Sequence, residues 1–184
     1  MAQFEPMFEW VIRLEDPSLK GKAVNLMDGQ GLTRFGIGQL SHPELPSDFY
    51  TRPAPEALAI AAGIYRSTYW NRFWGDQILD DQVASCLLSF SINDGTQREI
   101  MMLQQVLGFT QTDGIMGPLT LAATNNSNPA TLAPALRTAQ ANFYKMLVAK
   151  QPTDARFLTG WLKRACPKKL FWWRTKPRTP VKTS

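Results

Sequence analysis

Histidine and cysteine are nearly missing from this chain of 184 residues, which holds one of the first and two of the second. That is too few nitrogen and sulfur ligands for a usual zinc site, and it argues against a zinc amidase or zinc peptidase. No metal and no cofactor are expected. His42 precedes Pro43 in a loop, and Cys86 shares a helical stripe with Val83, Leu87 and Phe90, which reads as core. A cysteine hydrolase would need those two residues to meet in the fold. Cys86 and Cys166 are the one pair available for a disulfide. Long apolar runs are missing as well. No stretch approaches the ~20 residues that cross a bilayer, and the N-terminus lacks the basic patch and apolar run of a secretory signal. The expectation is synthesis as a soluble cytoplasmic protein, with a separate export route if it acts outside.

Acidic residues are missing from the last twenty positions. Residues 165–184 carry Lys168, Lys169, Arg174, Lys176, Arg178 and Lys182, so the tail holds +6 of a net +5 and residues 1–164 sum to −1. The tail also holds Phe171, Trp172 and Trp173. A basic, aromatic segment suits an anionic membrane face or wall polymers; the alternative is that the aromatics pack on the body. No recognition motif accompanies the charge, so nucleic acid is not expected as a partner.

Apolar residues make up 44% of the chain, enough for a packed core, and the length suits one domain with a small appendage. Phe4, Phe8, Val11, Ile12 and Glu15 recur at helical spacing. Pro6 fits the first turn, and Pro17 ends the helix just after Glu15. A carboxyl therefore stands where a hydrophobe is expected. Burial and the negative end of the helix dipole both favour its protonated form, as a general acid requires. The alternative is a glutamate that closes a helix and turns to solvent. Asp28-Gly29-Gln30-Gly31 is a turn composition, and Leu32, Arg34-Phe35 and Ile37 suggest a short strand or hairpin. Asp28 would stabilise an oxocarbenium-like transition state or orient water, and Thr33 would hold that water. Without chemistry, this is an ordinary tight turn.

Further helices are predicted over 55–70, 80–93, 96–107, 129–150 and about 153–164, with a loop at 125–129. On the first of these Leu58, Ala61, Ala62, Tyr65 and Tyr69 share a face. Tyr69, Trp70 and Asn93 are candidates for substrate binding, since aromatics beside an amide suit a sugar. For Tyr69 and Trp70 the competing reading is core.

Two strings carry a resemblance. Leu103-Gln104-Gln105-Val106-Leu107-Gly108, followed by Asp113-Gly114-Ile115-Met116-Gly117-Pro118-Leu119-Thr120, is similar to the repeat of small peptidoglycan-binding helical modules. Phe157-Leu158-Thr159-Gly160-Trp161-Leu162-Lys163-Arg164 resembles the closing helix of the peptidoglycan-binding half of glycoside hydrolase family 108. Asp28, Gly31, Thr33, Gly36 and Ile37 match that family's N-terminal pattern, and Tyr69-Trp70 and Ser91-Ile92-Asn93-Asp94-Gly95 resemble further segments of it. The resemblance covers roughly residues 4–165. It implies a mainly α, lysozyme-like helical fold with a small β-hairpin at the active-site cleft, divided as a catalytic half (1–95), a peptidoglycan-binding half packed on it (96–165) and the basic aromatic tail (166–184). It implies an N-acetylmuramidase, a phage endolysin or a secretion-associated enzyme, with catalytic residues Glu15, Asp28 and Thr33, glycan strands as partner, a monomeric state and action on the cell wall. The chain departs from the family after the glutamate. Glu15 is followed by Asp16-Pro17-Ser18-Leu19 rather than Gly-Gly-Tyr, and twelve residues separate Glu15 from Asp28 where about eight are usual. A non-catalytic wall-binding protein that keeps the fold is the alternative, and a cysteine peptidase is the third reading. Asp16, Asp76 and Asp94 are further candidates for the second carboxylate.

Overall fold

The computed structural model describes residues 1–16, 18–25 and 31–165. The fold is mainly helical with a small antiparallel sheet. Helix α1 (Phe4–Glu15) buries Phe4, Met7, Phe8, Trp10, Val11 and Ile12, and Asp16 caps its end. The sheet follows as three short strands, β1 (Val24–Asn25), β2 (Leu32–Arg34) and β3 (Ile37–Gly38), with β2 in the middle. Val24 pairs with Thr33, and Arg34 pairs with Ile37 across a two-residue turn. That turn is Phe35-Gly36, with φ of 51° and 75°. Two positive φ values in succession are what a tight hairpin needs to match strand twist, and asparagine or glycine usually supplies the first. A phenylalanine in that conformation carries strain.

Helix α2 (Ala54–Tyr65) runs into a wide π turn, Arg66–Trp70, and two 3-10 turns. Helix α3 (Asp81–Asp94) starts at Asp80, whose carboxylate accepts from the Gln82 and Val83 amides, and it is buried from Val83 through Ser91. Helix α4 (Thr96–Val106) stops before Gly108, which takes a φ of 82°. Helix α5 (Pro118–Asn126) follows Gly117, and helix α6 (Pro129–Lys150) is capped by the Asn128 side chain. Helix α7 (Ala155–Ala165) closes the described chain. The principal core gathers side chains from α1, the hairpin, α2, α3, α4 and α6, so it runs continuously across residue 95. A smaller cluster joins Phe90 to Met102, Tyr144 and Ala165. The expected loop at 125–129 narrows to Ser127 and Asn128, because α5 extends through Asn126.

Candidate active site

Glu15 is the last residue of α1 and is half-buried. Its carboxyl packs against the hairpin turn. A β-carbon placed on Gly36 would lie 3.0 Å from Glu15 Cγ and 3.2 Å from Cδ, and 2.5 Å from the Tyr65 hydroxyl oxygen. Any side chain at position 36 would therefore collide with the Glu15 side chain and the Tyr65 phenol. The Tyr65 hydroxyl donates to the Phe35 carbonyl at 3.0 Å. Tyr69 stands next to Tyr65, with ring centroids 5.7 Å apart. Burial pushes the Tyr69 phenol above its ordinary range, and the nearby Glu15 charge pushes the same way. The structure thus brings Glu15, the Phe35-Gly36 turn, Tyr65 and Tyr69 together.

The hairpin is anchored by Arg34, which is buried. Its Nε donates to the Gly21 carbonyl at 2.6 Å, and Nη1 donates to the carbonyls of Phe49 at 2.6 Å and Arg52 at 2.9 Å. Thr33, one residue earlier, is half-buried and points to the opposite face of the sheet, away from this anchor. The segment after Glu15 folds around Asp16. One carboxylate oxygen accepts from the amide and hydroxyl of Ser18, and the other from the Gly21 amide at 2.6 Å. Burial raises the Asp16 pKa, but the hydrogen bonds from Ser18, Gly21 and Leu19 outweigh it and hold the carboxyl below its ordinary value. Asp16 is thus the organiser of a loop. Asp28 and the tail from Cys166 onward lie outside the described residues.

Trp70 is corrected from cleft to core. It has no exposed surface; its ring meets Phe4 and Phe73 edge-on and covers Gly75, and its indole N–H donates to Asp76 at 2.9 Å. Asp76 also pairs with Arg66 at 2.7 Å. Asn93 donates to the Tyr144 hydroxyl at 3.2 Å, and that hydroxyl donates to Asp94 at 2.7 Å. These bonds tie the end of α3 to α6, and no described hydrogen bond joins Asn93 to the hairpin. Burial raises the Asp94 pKa against the lowering effects of Tyr144 and Arg98. Cys86 is wholly buried in α3, and burial pushes its thiol up to about 12, which removes it as a nucleophile at neutral pH. His42 pairs with Glu44 at 2.8 Å in a loop. Among the described residues, no helix is long and apolar enough to cross a membrane.

Tyr65 is the site residue that the sequence pattern conceals. It counts as one member of an apolar stripe on α2. Its signals are a hydroxyl where phenylalanine would pack as well, and a Phe-Gly pair at a turn that usually wants Asn-Gly.

Residues 98–166 match a family described as a predicted peptidoglycan domain. A solved structure, SagA of Brucella abortus, is similar at 28% identity, covering 88% of this chain and 88% of that one, with a TM-score of 0.67. No curated protein matches the chain. The likeness to SagA takes in most of the chain, and the match over residues 98–166 points to peptidoglycan as what the protein associates with.

Proposed function

We propose that the protein is an N-acetylmuramidase of the glycoside hydrolase family 108 kind, cutting the β-1,4 bond between N-acetylmuramic acid and N-acetylglucosamine. The observation that carries this reading is the Glu15 carboxyl, held at a helix end against a glycine turn and flanked by two tyrosines. Glu15 delivers a proton to the glycosidic oxygen as the bond breaks. The phenol face of Tyr69 stacks on a sugar ring, and Thr33 holds a water. Asp28 stabilises the developing positive charge. Glycan strands are the substrate, reached after export by a separate route, and the basic tail adds attachment to an anionic surface.

Glu15→Gln keeps the side chain's shape and removes the proton. It is expected to lower release of reducing sugar ends from purified sacculi by about 10²–10⁴-fold while thermal unfolding stays unchanged. Near-normal turnover by this variant would remove Glu15 from the mechanism.

A second reading, a wall-binding protein without catalysis, draws on one observation. Asp16, Asp76 and Asp94 are each engaged in structural hydrogen bonds. If sacculi bind the protein and no reducing ends appear at any pH, this reading replaces the first.

A further inference from the structure

We infer that Tyr65 is a positioning residue for Glu15, acting through the strained hairpin turn; this rests on the muramidase reading above. Tyr65 is buried at the end of α2, and its ring is fixed by Phe8 edge-on at 5.5 Å and by Tyr69 at 5.7 Å. Its hydroxyl reaches thirty residues back along the chain to the Phe35 carbonyl. That carbonyl belongs to a buried phenylalanine in the left-handed region, a conformation that persists only where the surroundings hold it. A buried carbonyl also needs a donor, and the phenol supplies one.

The next residue, Gly36, is the surface on which Glu15 rests. The phenol oxygen and the Glu15 carboxyl both crowd the place where a β-carbon on Gly36 would stand. Loss of the phenol lets the turn relax toward an ordinary φ at Phe35. Gly36 then moves, and the carboxyl loses the wall that aims it. A displacement of about 1 Å at a proton donor is enough to lower turnover by up to about 10²-fold. Tyr65 is buried and its hydroxyl donates to the main chain, so the effect falls on turnover and substrate affinity changes little.

The test compares Tyr65→Phe, Glu15→Gln and the unaltered chain on soluble muropeptide oligomers and in thermal unfolding. Tyr65→Phe should lower kcat at least about tenfold, leave KM within about twofold, and displace the alkaline limb of the pH–rate profile, where a proton donor is lost. A purely structural tyrosine would lower the melting temperature and leave kcat per folded molecule and the pH profile as they were. That result, with Glu15→Gln inactive, overturns the inference alone. Activity in Glu15→Gln overturns the muramidase reading, and the inference with it. Should Tyr65→Phe not fold, 3,5-difluorotyrosine placed at position 65 keeps the oxygen and makes the phenol a stronger acid. It should add an alkaline limb to the pH–rate profile as the donor loses its proton, and an unchanged profile overturns the inference.

Discussion

In the strands around Glu15, regular backbone pairing is short, and two long side chains supply what it lacks: Arg34 and Tyr65 donate to four main-chain carbonyls far away in sequence. From Thr96 to Ala165 most of the backbone is helical, and buried polar side chains bond one another and the loop between α4 and α5. Gln104 holds Asp113, Thr120 and the Gly114 amide, while Gln140 holds Glu99 and the Cys86 carbonyl. One region keeps an irregular surface in place with a few reaching donors. The other is a packed scaffold with a few polar side chains buried inside it. The contrast shows how a small helical protein can carry a strained turn beside its packed body: Phe35 is held by a donor from α2, Tyr65, while Arg34, next to it in β2, ties the hairpin to three distant carbonyls.

Gly36→Ala should break the first region most completely. The new methyl meets the Tyr65 oxygen and the Glu15 carboxyl, and a left-handed alanine costs about 1–2 kcal/mol by itself. Turnover on sacculi should fall at least about 10²-fold, while helical circular dichroism stays close to that of the unaltered chain. Retained activity would show that the carboxyl is not aimed by this turn.

Arg34→Met comes next. It leaves the carbonyls of Gly21, Phe49 and Arg52 without their donor, and each buried orphan costs about 1–3 kcal/mol. A loss of about 3 kcal/mol in urea unfolding is expected. A neutral result would mean that the hairpin is held by its apolar contacts.

The smallest effect tests the scaffold and has the opposite sign. Burial pushes the Glu99 carboxyl well above its ordinary value of 4.5; the Gln140 amide pulls it down in part, and Asp94 adds to the rise. Between 4.5 and its folded value the unfolded chain releases this proton while the folded chain keeps it. Stability therefore falls as pH rises through that window. Asp94 contributes a decline of the same sign, whereas Asp16, held low, contributes stability that is lost only on acidification. Glu99→Gln should flatten the decline, so that the variant melts higher at neutral pH and no higher near pH 4. Parallel melting curves across that range would mean that Glu99 ionises freely in the folded protein.

Much of this was legible in the sequence because local signals fix it. Pro118, Pro129, Asp80 and Asn128 mark helix starts, Gly108 marks a stop, and the apolar period of α1 ends at Glu15. The hairpin was legible from alternation, although β1 was not, since two exposed residues give no pattern. The pair Tyr69-Trp70 was ambiguous for a physical reason. Neighbours on a helical turn point in different directions, so one can stand beside Tyr65 and Glu15 while the other is sealed against Phe4 and Phe73. The partner of Asn93 was not legible, since its amide donates to Tyr144, fifty-one positions later. Contacts between residues so distant leave no local trace.

Helix α3 has a consequence for modularity. It is sheathed along most of its length, by the α1 side of the protein on one flank and by α4, α6 and α7 on the other. A gene fusion that cut the chain at residue 96 would strip α4 and α6 of the helix they pack on, leaving Ile100, Leu103, Leu132 and Leu136 facing water. The stretch matching the peptidoglycan family is therefore no portable cassette. Grafting it onto another protein would mean carrying α3 along, since α4 and α6 pack on that helix.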